Sequence, residues 1–112
     1  MKVKLTFGER MIAFMVLSEG CDGTMSDWKG IDQGKMLLGL SEADRELYDV
    51  KKCEDAISWG NTEEGDKEKE YDLPEKACVL LKKEFKRMDK EGSIPSAGHA
   101  SCAMKFLTES NE

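Results

Sequence analysis

Apolar residues gather in two dense blocks, Met11 to Leu17 and Ala77 to Leu81, and charged residues fill most of the chain between them. Thr6-x-x-Glu9 stands just before the first block. A Thr side chain can accept from the N–H three residues on while the Glu reaches back, which answers two donors that a helix start leaves open. The pattern predicts a first helix from Phe7 to about Ser18. Met11, Ile12, Phe14, Met15, Val16 and Leu17 cover nearly its whole circumference, so it is expected at the centre of the core.

Gly20, Asp22 and Gly23 interrupt that helix, and Thr24 or Ser26 can cap a second. Met25, Trp28, Ile31, Lys35 and Leu38 suggest its mostly apolar face. Gly30 and Gly34 weaken the prediction, since each costs about 1 kcal/mol against Ala inside a helix. Ser41-x-x-Asp44 opens a short turn, and Leu47, Tyr48 and Val50 suggest a strand near 46 to 51. Ala56 to Trp59 and Lys67 to Leu73 alternate as strands do, with Thr62 to Asp66 between them as a polar loop tip.

Asp72-x-x-Glu75 repeats the capping signal, with Pro74 at the first helical position. A long helix follows, burying Ala77, Leu80, Leu81, Glu84, Phe85 and Met88, with Gly92 as its stop. A last helix from about Pro95 to Leu107 carries a smooth stripe of Ser96, Ala100 and Ala103. That stripe suits close packing within the chain, or a two-fold contact between chains. The fold class expected is α+β: about four helices with a small antiparallel sheet of two or three strands, in one domain spanning 1–112 with frayed ends at 108–112.

At 112 residues, 39% hydrophobic and 36% charged, the chain suits a single core with a very polar surface. The seven-residue run from Met11 is far short of the roughly 20 a membrane span needs. No small-x-small cleavage site follows it, so no secretory leader is expected. Cys21, Cys53, Cys78 and Cys102 are widely spaced and form no compact disulfide framework, which points to reduced thiols and a cytoplasmic setting.

Net charge is −6, distributed unevenly: 5 basic against 13 acidic residues lie in 41–75, and 6 against 2 in 76–90. Attraction to a partner is therefore patch-specific, and the acidic balance disfavours direct nucleic-acid binding. His99 and Cys102 share a helix face and could form half a zinc site if Cys21 and Cys53 came close. Packing of the cysteines as small apolar groups is the favoured reading, with no metal and no cofactor. The same His–Cys pair has a nucleophile's components but no oxyanion turn accompanies it, so no enzyme is expected.

Glu63, Glu64, Asp66, Glu68 and Glu70 could imitate phosphates, although Lys67 and Lys69 interrupt them and an edge strand also uses charge to discourage pairing. Trp28 could anchor a partner through its large contact area, whereas Trp59 is expected in the core. Lys82, Lys83, Lys86 and Arg87 form a basic helix face able to hold a nucleotide-type ligand.

The order of elements resembles that in a family of small uncharacterised proteins of tailed phages and prophages. The likeness spans residues 4 to 107 and is carried by Lys4-Leu5-Thr6 with Glu9-Arg10, Leu40-Ser41-Glu42, Ile57-Ser58-Trp59 and Leu80-Leu81-Lys82-Lys83. The chain departs from the pattern in its glycine-rich second helix and its small-residue last helix. The resemblance implies a phage product acting in bacterial cytoplasm, and by analogy a disarmer of host defences. The expectation is a non-enzymatic factor, monomeric or homodimeric, that occludes a host bacterial protein through Trp28, Glu63, Glu64, Asp66, Glu68 and Glu70. The alternatives are a nucleotide-type ligand binder and a structural or regulatory phage component.

Overall fold

Reciprocal capping boxes start three of the helices. In the computed structural model, which describes residues 2–19, 21, 23–53 and 56–109, Thr6 Oγ1 accepts from Glu9 N–H at 3.3 Å and Glu9 Oε1 accepts from Thr6 N–H at 2.9 Å. This opens α1, Phe7–Glu19. The same reciprocal pair, Thr24 with Asp27, opens α2, Met25–Leu38. Ser41 with Asp44 opens α3, Glu42–Tyr48.

The strand expected near 46 to 51 begins later, because the Ser41 box carries a full helix through Glu46 to Tyr48. Asp49 then takes a left-handed conformation, φ 52°, and turns the chain into a hairpin of β1, Val50–Cys53, and β2, Ala56–Trp59. Tyr48 carries strand-favouring chemistry but is buried at the end of α3, stacked on Phe7 at 4.4 Å between ring centroids. The polar stretch expected as a loop tip contains a one-turn helix, α3′, Thr62–Gly65. Asn61 Oδ1 accepts from Glu64 N–H at its start, and Gly65 is buried against the Trp59 indole.

A second sheet pairs β3, Lys69–Asp72, antiparallel with an N-terminal strand, βN, Lys2–Leu5, in the register Lys2 with Asp72 and Leu5 with Lys69. Lys-Val-Lys-Leu alternates over only four residues, yet Val3 and Leu5 are buried and Lys2 and Lys4 exposed. Asp72 is thus a strand residue and does not cap the long helix α4, Glu75–Glu91. Pro74 takes the cap position and offers no side-chain hydrogen bond to the first turn. With the cap at Pro74, the third helical residue is Ala77, which has no carboxylate to complete a box.

Along α4 the buried side follows the sequence periodicity, with Ala77, Leu81 and Phe85 inside and Lys83, Lys86 and Lys90 outside. Gly92 ends it at φ 66°. The last helix, α5, Ala97–Glu109, packs on α1, α4 and βN. Ala103 of the small-residue stripe is buried there, Ala100 half-buried and Ser96 exposed. Helix α1 touches α2, α4, α5 and βN and is the hub of the core, although Met15 is exposed. The expected breakers Gly20 and Asp22, and the end of the chain beyond Glu109, lie outside the described residues.

Helix α2 differs most from expectation. Its buried residues are Gly30, Ile31, Gly34 and Leu38. A Cβ on Gly30 would lie 2.7 Å from Lys76 Cβ, and one on Gly34 would lie 3.0 Å from both Ala77 Cβ and Leu17 Cδ1. The two glycines let α2 settle directly onto α4 and α1. Relative to the expected face, the helix is turned by roughly 80°, taking about 100° per residue. Ile31 and Leu38 remain inside, but Met25 and Trp28 are left outside.

Filling this contact is expected to cost more than helix propensity returns. Gly30→Val should lower stability by about 1–3 kcal/mol through overpacking, read as a reduced urea midpoint with an unchanged slope. A midpoint equal to or above that of the wild type would show that the helices are not in close contact there.

Candidate functional site

The turned α2 exposes a stripe that a soluble surface rarely carries. Met25 is 92% exposed, Met36 82% and Trp28 43%, and Lys29 and Asp32 lie between them on the same outward side. Single exposed apolar residues are ordinary; here three share one helix face, with two charged residues between them. A cleft of about 480 Å³ beside this helix is lined by Asp27, Glu75, Lys76, Val79 and Leu80.

Arg10 fixes the far end of α2. The residue is 4% exposed. Nε donates to Leu38 O at 2.8 Å, and Nη2 donates to Gly39 O at 2.7 Å and Asp44 Oδ2 at 3.0 Å. The plane also lies 5.3 Å from the Tyr71 ring centroid. A buried charge is tolerable only when fully bonded, and carbonyls at a helix C-terminus are good partners for a cation. Burial opposes ionisation of Asp44, but the Ser41 N–H and Arg10 outweigh it and hold the carboxyl below its ordinary value.

The acids expected to bind a partner are divided. Glu64 pairs with Lys69 at 3.0 Å and Lys67 at 3.1 Å, Glu70 lies 3.9 Å from Lys2, and Glu68 meets Lys105. Glu63 and Asp66 are exposed and form no ion pair among the described residues. Trp28 stands apart from this group, on α2. Trp59 packs edge-on against Phe7 at 4.7 Å. On the basic helix, Lys83 and Lys86 are exposed and Lys82 half-buried, while Arg87 is drawn to Glu84 and Glu91.

His99 and Cys102 bond different partners. His99 Nδ1 lies 2.7 Å from Ser96 Oγ, and Cys102 Sγ donates to Glu9 O at 3.4 Å. Burial, and then the nearby Glu9, push the Cys102 thiol up to about 12, far from a nucleophile's range. Cys21, Cys78 and Cys102 are buried, and the Cys53 side chain lies outside the described residues. Among the described residues no three or more His, Cys, Asp or Glu side chains gather as a metal site. A smaller cleft, about 210 Å³, is lined by residues that include Met15, Glu19, Arg87 and His99.

Glu9 is the functional-looking group that sequence reasoning treated only as a cap. It is 5% exposed, and its carboxylate accepts from Ser101 Oγ at 2.7 Å and Lys105 Nζ at 2.6 Å besides Thr6 N–H. The signal available was its position between Phe7 and Met11, where a charged pair interrupts an apolar face. Burial disfavours its charge, but Lys105, Thr6 and Ser101 together hold the carboxyl below its ordinary value. This carboxylate joins the start of α1 to α5 and therefore reads as structural.

No helix among the described residues is long and apolar enough to cross a membrane. No protein family matches the chain, and no curated protein or solved structure matches it significantly. The likeness to tailed-phage proteins thus stands on the sequence pattern alone.

A lowered folded-state carboxyl means that the unfolded chain binds more protons as acid is added. The stability contributed by Glu9 and Asp44 is expected in full above about pH 5 and to be lost as pH falls through their lowered folded values. Urea midpoints between pH 7 and pH 3 should fall, and Glu9→Gln should fall less steeply. Equal pH dependence in the two proteins would contradict the buried carboxylate bonds.

Proposed function

We propose that this chain is a non-enzymatic protein-binding factor whose docking surface is the outward face of α2, centred on Met25, Trp28 and Met36. The observation that carries this reading is the exposure of those three side chains on one side of a helix whose opposite side is locked into the core. Large flexible methionines beside an aromatic ring adapt to an apolar partner surface, and burying them supplies the contact area on which binding depends. Glu63 and Asp66 add negative charge elsewhere on the surface, suited to steering a basic partner.

The narrower reading is a phage-encoded inhibitor that occludes a host bacterial defence protein in the cytoplasm. Its support is the resemblance in element order and the acidic middle of the chain. It predicts that a defence-proficient bacterium expressing the chain becomes permissive to a phage it otherwise restricts; unchanged plating efficiency would remove it.

Affinity capture from bacterial lysate tests the docking surface. A protein retained by the wild type should bind Met25→Asp/Met36→Asp at least about 30-fold more weakly, the effect of losing about 2 kcal/mol at central anchors. Circular dichroism should show both chains equally folded. Equal retention would place the docking surface elsewhere.

A further inference from the structure

The outward stripe of α2 has an order that complements itself. Met25, Lys29, Asp32 and Met36 follow at steps of four, three and four residues, and that spacing keeps them on one helix face. All four are exposed. Read from either end, the stripe runs apolar, charged, charged, apolar, with the two charges of opposite sign.

We infer that this face pairs with a second copy of the chain, α2 against α2, antiparallel about a two-fold axis that passes between Lys29 and Asp32. This rests on the reading of α2 as the docking surface and names its occupant. In that register Lys29 faces the partner's Asp32, and Asp32 faces the partner's Lys29. Met25 packs against the partner's Met36 at one end, and the same contact repeats at the other. Trp28 and Lys35 flank the stripe on the same side, so each indole comes beside the partner's Lys35, where an ammonium over an aromatic face is favourable.

A two-fold contact requires that a patch match itself, and only the antiparallel arrangement opposes unlike charges here. A parallel pairing would set Lys29 against the partner's Lys29. The glycines on the other side of α2 are already filled by Lys76, Ala77 and Leu17, so this outward face is the one open to a second helix. One helix pair buries less than the roughly 1,200 Å² at the low end of stable interfaces. The dimer is therefore expected to be weak and concentration-dependent, and a tighter-binding protein would displace the second copy.

Sedimentation velocity on the full chain, across a concentration series reaching about 200 µM, inside the micromolar-to-millimolar range of weak affinities, reads the result. The wild type should shift toward dimer as concentration rises. Lys29→Asp alone and Asp32→Lys alone should each stay monomeric, because each opposes like charges twice. Lys29→Asp/Asp32→Lys should recover the dimer. A wild type that stays monomeric, a dimer indifferent to the single reversals, or a double variant that fails to recover would each overturn the pairing. A monomer whose capture of another protein still depends on Met25 and Met36 would end the self-pairing while leaving the docking reading in place.

Discussion

The rotation of α2 about its own axis is the constraint on which the surface of this protein depends. Gly30 and Gly34 bring its backbone against Lys76, Ala77 and Leu17, and side chains at those positions would hold the helix off. The close approach selects one face to bury. Because the buried side is made partly of glycine, the helix contributes only two large apolar anchors, Ile31 and Leu38, to the core. The remaining large apolar residues have nowhere to go but out.

Arg10 makes that rotation permanent. Its bonds to the carbonyls of Leu38 and Gly39 and to Asp44 tie the end of α2 and the start of α3 to the central helix. Glu9, the neighbouring residue, does the corresponding work on the other side of α1 by holding Ser101 and Lys105 of α5. Two adjacent charged residues on the most apolar helix thus point in different directions and clamp different partners. Removing one member of such a buried pair is costly, since it leaves the other charge unanswered.

Much of this was legible in the residues. The first helix, the lysine-bearing helix and the Gly92 stop follow from spacing and caps, because those signals act locally. Thr24 supplied a third capping box that Asp72 did not, since Asp72 is held in a strand by its pairing with Lys2. The α2 face departs from its apolar periodicity for a related reason. Helix propensity counts glycine as a local defect, whereas here its value lies in contact with Lys76 and Ala77, more than forty positions away, and with Leu17. Glu9 and Arg10 likewise look like a cap and a surface charge until the chain folds around them. Trp28 is identifiable as a docking candidate by its chemistry, whereas Met25 has the character of a core residue, and only the turn of the helix places it and Met36 on the outside.

The acidic stretch illustrates the opposite case, in which a conspicuous pattern loses its force on folding. Glu64, Glu68 and Glu70 find lysines on neighbouring elements, so little of the run remains as an unopposed negative surface. The exposed methionines gain importance by comparison. Iodide quenching of the Trp28 emission, isolated as the difference between wild type and Trp28→Phe in solution too dilute for self-pairing, tests the rotation of α2 most directly. With Trp28 outside, a red-shifted component that iodide quenches readily is expected; a blue-shifted component protected from iodide would put Trp28 in the core and contradict the turned helix.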